Sequence, residues 1–229
     1  MNWYELADRR VGSHVPAGLA KGAALIVATH GGGLGSPEQH ERMTGFSALA
    51  DETRAFVVLY PEGLRKSWNA GHGALGYAGA NDVDDVGFVA AIIEDARQRF
   101  GINPLRVYGS GFSNGAMLWH WIGANRPGLV AAFAACSGGF SALPPVESFR
   151  ATPPAVRIVH GFRDDHVPFK GGEGPRALQA FDYPPIARTE SWWRGMGATI
   201  SARYEPTRGH EWMPNEAARE WSWFRGWRL

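Results

Sequence analysis

The sequence has a single cysteine, Cys136, among 229 residues. That excludes an intrachain disulfide and any zinc cluster built from several thiolates, and it leans towards a reducing compartment. Long apolar runs are missing as well. Ala23–Thr29 and Leu129–Cys136 are about eight residues each, far short of the roughly 20 that span a bilayer. Blocks of like charge are absent: 23 Lys and Arg against 22 Asp and Glu leave a formal net charge of +1. Neither nucleic acid nor an anionic membrane surface is therefore an expected partner. No repeat, low-complexity tract or long linker interrupts the chain, so residues 1–229 are read as one domain. Residues Met1–Glu5 carry no basic stretch followed by an apolar run, so no signal peptide is read there. The compartment stays open between the cytoplasm and a mature secreted form.

What the chain does have is an alternation of short apolar runs with helix-period segments. The runs are Ala23–Thr29, Phe56–Tyr60, Leu105–Gly109, Leu129–Cys136, Ala155–His160 and Thr199–Tyr204. Most are rich in Val, Ile, Leu and Ala without strict alternation, as in strands buried on both faces. Helices are expected over Gln39–Thr53, Val83–Phe100, Ser113–Asn125, Pro185–Met196 and Asn215–Trp227. The fold class is thus α/β, a mostly parallel sheet with helices on both faces. Three Gly- or Pro-rich stretches, Gly63–Asn81, Gly138–Pro154 and Val167–Tyr183, are expected to be loops that contact a ligand.

The most informative stretch is Gly111-Phe112-Ser113-Asn114-Gly115, between an apolar strand and a helix. Gly-x-Ser-x-Gly at a strand-to-helix turn is the nucleophile elbow of α/β-hydrolases, in which small flanking residues let the serine sit on a strained tip. The competing dinucleotide fingerprint fails, because Asn114 stands where its third glycine belongs and no ribose-binding acid ends the next strand. A serine hydroxyl needs a base. His210 follows the last expected strand and precedes the last helix, which is where this fold places it. His120 lies two turns into a helix, His160 is read as a buried structural residue, and His166 as a surface residue. The acid that orients the base belongs after Ala155–His160, where Asp164 and Asp165 both qualify on spacing. One of them is expected to face the histidine and the other to cap a turn. In Thr29-His30-Gly31-Gly32-Gly33 a strand runs straight into glycines. The backbone N–H groups of Gly32 and Asn114 are the expected oxyanion-hole donors.

Taken in order, these pieces and several others resemble the polyhydroxybutyrate depolymerase and feruloyl esterase group of α/β-hydrolases, from about Ala23 to Pro214. The matching segments include Thr29–Gly32, Phe46–Asp51, Val57–Gly63, Trp68-Asn69, Asp84–Phe88, Gly111–Gly115, His160-Gly161, Val167–Phe169 and Gly209-His210. The group's His-Gly-x-x-Asp-x-x-Val-Pro pattern falls on His160, Gly161, Asp164, Val167 and Pro168, and so implies Asp164 as the acid. Its aromatic after the base falls on Trp212, implied as a substrate-side residue. Two departures stand out. Gly32 occupies a position where relatives often carry a paired cysteine, and Ala116 replaces a glycine after the elbow. No polymer-binding module or Ser/Thr-rich linker is read in these residues, which points to soluble rather than crystalline esters.

The expected activity is hydrolysis of a small-molecule or oligomeric carboxylic ester by a Ser113–His210–Asp164 triad, with no cofactor. A serine peptidase or amidase of the same fold, and a relative that only binds a ligand, are the alternatives. No metal site is expected. Asn81–Asp85 lacks the calcium-loop spacing and reads as a helix start, and no second histidine at Pro214 completes a zinc-protease pattern after His210-Glu211. Cys136 reads as a core thiol. Of the ten tryptophans, Trp3, Trp221 and Trp227 read as packing, while Trp68 and Trp212 lie in loops where an aromatic substrate can stack.

Overall fold

Side chains alternate between the two faces of a strand, so a run of continuous apolar residues needs cover on both sides. The protein, in a computed structural model, is described over residues 1–71, 75–145 and 152–229. Its strands are β1 (Asn2–Leu6), β2 (Arg9–His14), β3 (Ala24–Thr29), β4 (Phe56–Pro61), β5 (Val107–Phe112), β6 (Ala132–Cys136), β7 (Ala155–Gly161), β8 (Gly172–Glu173), β9 (Asp182–Tyr183) and β10 (Ile200–Glu205). The helices are α1 (Pro37–Thr44), α2 (Phe46–Thr53), α3 (Gly76–Ala80), α4 (Asp85–Phe100), α5 (Asn114–Asn125), α6 (Ile186–Gly195) and α7 (Glu216–Phe224). Eight strands form one sheet in the order β1-β2-β4-β3-β5-β6-β7-β10. The β1–β2 and β2–β4 pairs are antiparallel, and every later pair in that order is parallel. Strands β8 and β9 make a separate small ribbon.

The alternation sorts the core into two layers. Leu25, Val27, Val57, Leu59, Phe133 and Ile158 face one side, where α4, α5 and α6 supply Ile92, Ile122 and Trp193. Ala24, Ile26, Phe56, Val58, Tyr108 and Ala134 face the other, where α2 and α7 supply Phe46, Trp221 and Phe224. All six expected strands are present to within a few residues. The hairpin β1–β2 has no counterpart in the expected strands, because its sequence is polar and half exposed and carries no buried-strand run. Its turn residues Ala7 and Asp8 both have positive φ, as a two-residue hairpin turn requires. The expected helix Gln39–Thr53 is two helices, α1 and α2. Gly45 at φ 74° ends one and starts the other, a conformation that favours glycine. Asp84 caps α4 by accepting from the Gly87 N–H at 2.7 Å, in line with the helix-start reading of Asn81–Asp85. Among the described residues no helix is long and apolar enough to cross a membrane.

Several titratable groups are enclosed in this core. Burial pushes the imidazole pKa of His30 down to about 4, and those of His40 and His120 down to about 3. Burial, and then the neighbouring Glu216, push the carboxyl of Glu220 well up. Glu216 itself is held by Arg157 at 2.7 Å and Arg203 at 3.1 Å. The three histidines are neutral in the fold but take up protons when unfolded below about pH 6.5, so their contribution is lost as pH falls. Glu220 has the opposite sign: its contribution is full below about pH 4.5 and is lost as pH rises. Above about pH 4.5 the carboxyl therefore works against the three histidines, which outnumber it. Unfolding free energy measured by urea denaturation is expected to fall by on the order of a few kcal/mol from pH 6.5 to 4.5. Glu220→Gln should steepen the fall and raise stability at pH 8. A stability that stays flat from pH 6.5 to 4.5 would contradict this.

Candidate active site

Strand β5 ends at Phe112 and α5 begins at Asn114, so Ser113 alone makes the turn between them. It does so at φ 55° and ψ −121°, a conformation that costs roughly 1–3 kcal/mol and persists only where the surroundings enforce it. They do. The Ser113 N–H donates to the Cys136 carbonyl at 2.9 Å, and the Thr29 hydroxyl donates to the Gly115 carbonyl at 3.0 Å. A Cβ on Gly111 would lie 2.4 Å from the Gly115 carbonyl oxygen, and one on Gly115 would lie 2.3 Å from that of Thr29. Only glycine lets strand and helix approach this closely.

The loops after β7 and β10 are joined by backbone hydrogen bonds, Phe162 N–H to Glu205 O and Arg163 N–H to Arg208 O, both 2.9 Å. This pairing brings Asp164 to His210. Asp164 Oδ2 lies 2.8 Å from His210 Nδ1, and His210 Nε2 lies 3.0 Å from Ser113 Oγ. A carboxylate only accepts, so His210 donates from Nδ1 and leaves Nε2 to accept from the serine hydroxyl. The turn beyond His210 is anchored by the Ser137 hydroxyl, which donates to the Glu211 carbonyl at 3.3 Å.

Four donors converge on the Asp164 carboxylate. Oδ1 accepts from the N–H groups of His166 (3.0 Å) and Val167 (2.8 Å), and Oδ2 lies 3.2 Å from His160 Nε2 as well as facing His210. His160 is buried and donates the same N–H to the Val167 carbonyl at 2.8 Å, so it braces the acid's loop. Burial pushes the Asp164 carboxyl up, but the His160 and His210 hydrogen bonds outweigh it and hold the group well below the usual carboxylate range. The expected division of labour between Asp164 and Asp165 is therefore replaced. Asp164 both faces the histidine and caps the turn, because its two oxygens point to different partners. Asp165 instead accepts from His166 Nδ1 at 2.9 Å.

Gly31, Gly32, Ser113 and Asn114 line the same cleft. Gly32 sits against Asn114, with a built Cβ only 3.3 Å from that of the asparagine. The Asn114 N–H belongs to the first turn of α5, where no intrahelical acceptor exists. The next N–H groups along the glycine loop are already taken, Gly33 by Lys66 O and Leu34 by Gly32 O. His30 pins this loop: its Nδ1 donates to Gly31 O at 2.7 Å, and its Nε2 accepts from Gly63 N–H at 2.9 Å. Its lowered pKa keeps it neutral, which the acceptor role of Nε2 requires.

Neither tryptophan expected at the substrate is among the residues that line the cleft. Trp68 is fully buried and lies outside the cleft lining. Its indole donates to His30 O at 2.9 Å, and its backbone pairs with the Asn114 amide at 2.7 and 3.1 Å. Next to it, Asn69 N–H donates to Asp85, which is itself bound to Arg9 at 2.6 Å. Trp212 also lies outside the lining. The Glu211 anchor turns it inward, and its ring packs edge-on to His40 and Phe46, 6.0 and 6.1 Å away.

The cleft holds about 430 Å³ and is walled by Leu34, Met43, Leu75 and Leu178, with Gln39 and Gln179 among its polar groups. Two of the three expected substrate loops contribute. Gly63–Asn81 supplies Ser67 and Leu75, and Val167–Tyr183 supplies Leu178 and Tyr183. Gly138–Pro154 supplies no lining residue among those described, and parts of these loops, residues 72–74 and 146–151, lie outside the described residues. His166, read from sequence as a surface residue, lines the cleft and stacks on His210, with ring centroids 4.7 Å apart and planes at 19°. Its place two residues after the acid was the available signal, because the turn capped by Asp164 returns the chain towards the base. Asp164, His166 and His210 also carry potential metal-donor atoms within 4.8 Å of one another. Both Asp164 oxygens, both His210 nitrogens and His166 Nδ1 are engaged in the hydrogen bonds described above.

No protein-family profile matches the chain. It is 31% identical over 170 residues to the bifunctional acetylxylan esterase/xylanase XynS20E of Neocallimastix patriciarum, covering 73% of this chain and 23% of that protein. It is 31% identical over 153 residues to the putative esterase NocK of Nocardia uniformis, covering 67% and 43% respectively. It is 28% identical over 130 residues to poly(3-hydroxyalkanoate) depolymerase C of Paucimonas lemoignei, covering 55% and 30%. The chain thus spans less than half the length of each of these relatives. Among solved structures it superposes on an acetyl xylan esterase from Aspergillus awamori with a TM-score of 0.72 at 17% identity, over 95% of this chain and 94% of that one. That likeness establishes the fold. The chain has the α/β-hydrolase fold, and in sequence it is similar to proteins named acetylxylan esterase, feruloyl esterase and poly(3-hydroxyalkanoate) depolymerase.

Proposed function

We propose that this chain is a carboxylic ester hydrolase, a single catalytic domain that works through an acyl-enzyme on Ser113. The observation that carries the reading is the continuous hydrogen-bonded path from Asp164 through His210 to Ser113 Oγ, at 2.8 and 3.0 Å, on a strained turn that opens into the cleft. His210 Nε2 takes the serine proton as Oγ attacks the ester carbonyl. Asp164, held ionised, stabilises the imidazolium that forms. The N–H groups of Gly32 and Asn114 receive the negative oxygen of the tetrahedral intermediate. His210 then protonates the departing alcohol, and water repeats the sequence to free the acid. These steps use side chains, backbone N–H groups and water, and call for no cofactor. The apolar walls and modest volume of the cleft suit a soluble or short oligomeric ester.

Ser113→Ala and His210→Ala should each lower turnover of a nitrophenyl ester by roughly three to six orders of magnitude, with the double variant little worse than either. Activity within tenfold of wild type in Ser113→Ala would refute the assignment. Asp164→Asn should cost on the order of 10⁴ in turnover by presenting the wrong histidine tautomer, whereas Asp165→Asn should stay within about fivefold. The reverse ranking would show that the wrong carboxylate has been assigned. Because Trp212 packs beneath the base's loop, Trp212→Ala should reduce kcat by a similar factor on nitrophenyl acetate and on a bulky aromatic ester. A selective rise in KM for the bulky ester would place Trp212 against substrate instead.

A further inference from the structure

His166 is a further imidazole lining the cleft that the proposed chemistry does not use. Its backbone N–H donates to Asp164 Oδ1, so the acid itself fixes where this residue stands. Its ring lies nearly parallel to that of His210, at 4.7 Å and 19°. The orientation of the ring is set from its far side. Asp165 Oδ1 accepts from His166 Nδ1 at 2.9 Å, Asp165 Oδ2 lies 3.6 Å from Arg176 Nη1, and the Arg176 N–H donates to the Asp165 carbonyl at 2.9 Å. A relay of Arg176, Asp165 and His166 therefore ends on the face of the base. Phe112 is a second aromatic neighbour of His210 among the described residues, 5.0 Å away and tilted by 43°.

We infer that His166 is a positioning residue for His210. The flat ring confines the base to the plane in which Nδ1 meets Asp164 and Nε2 meets Ser113. When His210 takes the serine proton, its positive charge lies over a π-face whose electron density is raised by the hydrogen bond to Asp165. The stack is thus worth more in the transition state than in the resting enzyme, and such an interaction acts on kcat rather than KM. His166 is not a second base in this arrangement. The serine hydroxyl is engaged by His210, and the His166 nitrogen with a partner among the described residues is bound to Asp165. The inference rests on the assignment of His210 as the base.

The test compares wild type, Ser113→Ala, His166→Ala and His166→Phe on nitrophenyl acetate, with thermal unfolding and NMR of the histidine ring protons. A cation–π stack of this kind predicts a kcat about 5- to 20-fold lower in His166→Ala, with KM moved less than about twofold. His166→Phe keeps a planar ring and should return kcat to within about threefold of wild type. Melting temperatures of both variants should stay within a few degrees of wild type. A His166→Ala variant that turns over like wild type would overturn the inference. So would one that loses only KM, or a folded His166→Phe that is as slow as His166→Ala. Wild-type hydrolysis that is absent, or that survives Ser113→Ala, would instead defeat the ester-hydrolase reading. The stack is then judged by NMR alone: the His210 ring protons should lose an upfield ring-current shift in His166→Ala and keep it in His166→Phe, and unchanged shifts in His166→Ala would refute the contact.

Discussion

Strand β5 must pass into α5 within one residue, and the rest of the site is arranged around that constraint. Ser113 holds a backbone conformation that an isolated chain would abandon. It is kept there by parallel neighbours on both sides: β6 accepts its N–H, and β3 bonds to the first turn of α5. The carbonyls of Thr29 and Gly115 approach so closely that glycine is required at 111 and 115. The turn that raises the serine also leaves the first N–H groups of α5 open towards the cleft, next to the glycine loop after β3. Strain in one residue thus delivers the proposed nucleophile and part of its proposed anion site together.

The remaining machinery is carried by two pairs of supports. One pair is the loops after β7 and β10, joined backbone to backbone so that Asp164 and His210 meet at 2.8 Å. The other is the buried frame of His30, Trp68, Asn69, Asp85 and Arg9, which holds the glycine loop and the Asn114 side chain. Both frames rely on fully occupied carboxylates, Asp164 in the first and Asp85 in the second. Burying a polar group is tolerable when every partner is present and costly when one is missing. Through His30, whose imidazole burial keeps neutral, the second frame also ties the stability of the fold to pH.

The parts of the molecule legible in the sequence are those set by local pattern. Continuous apolar runs marked the six parallel-sheet strands, and Gly111-x-Ser113-x-Gly115 marked the elbow. The order of segments singled out His210, whereas spacing left Asp164 and Asp165 both open and only the family resemblance implied Asp164. What escaped depends on direction in space. The β1–β2 hairpin has a polar sequence and joins the sheet only through pairing with β4. Trp68 and Trp212 sit in loops, which suggested exposure, yet hydrogen bonds to His30 and Asn114 and packing on His40 and Phe46 turn both inward. His166 looked like a surface residue because nothing in a linear pattern shows that a capped turn folds it back onto the base.

The central claim is that Ser113 is a nucleophile activated by His210, and covalent trapping tests it without assuming any substrate. An alkyl fluorophosphonate should add once to the intact protein, and peptide mass spectrometry should place the adduct on Ser113. Labelling should vanish in Ser113→Ala and slow by at least about a hundredfold in His210→Ala, since the hydroxyl then lacks its base. An unmodified wild-type protein, or an adduct on any other residue, would contradict the account.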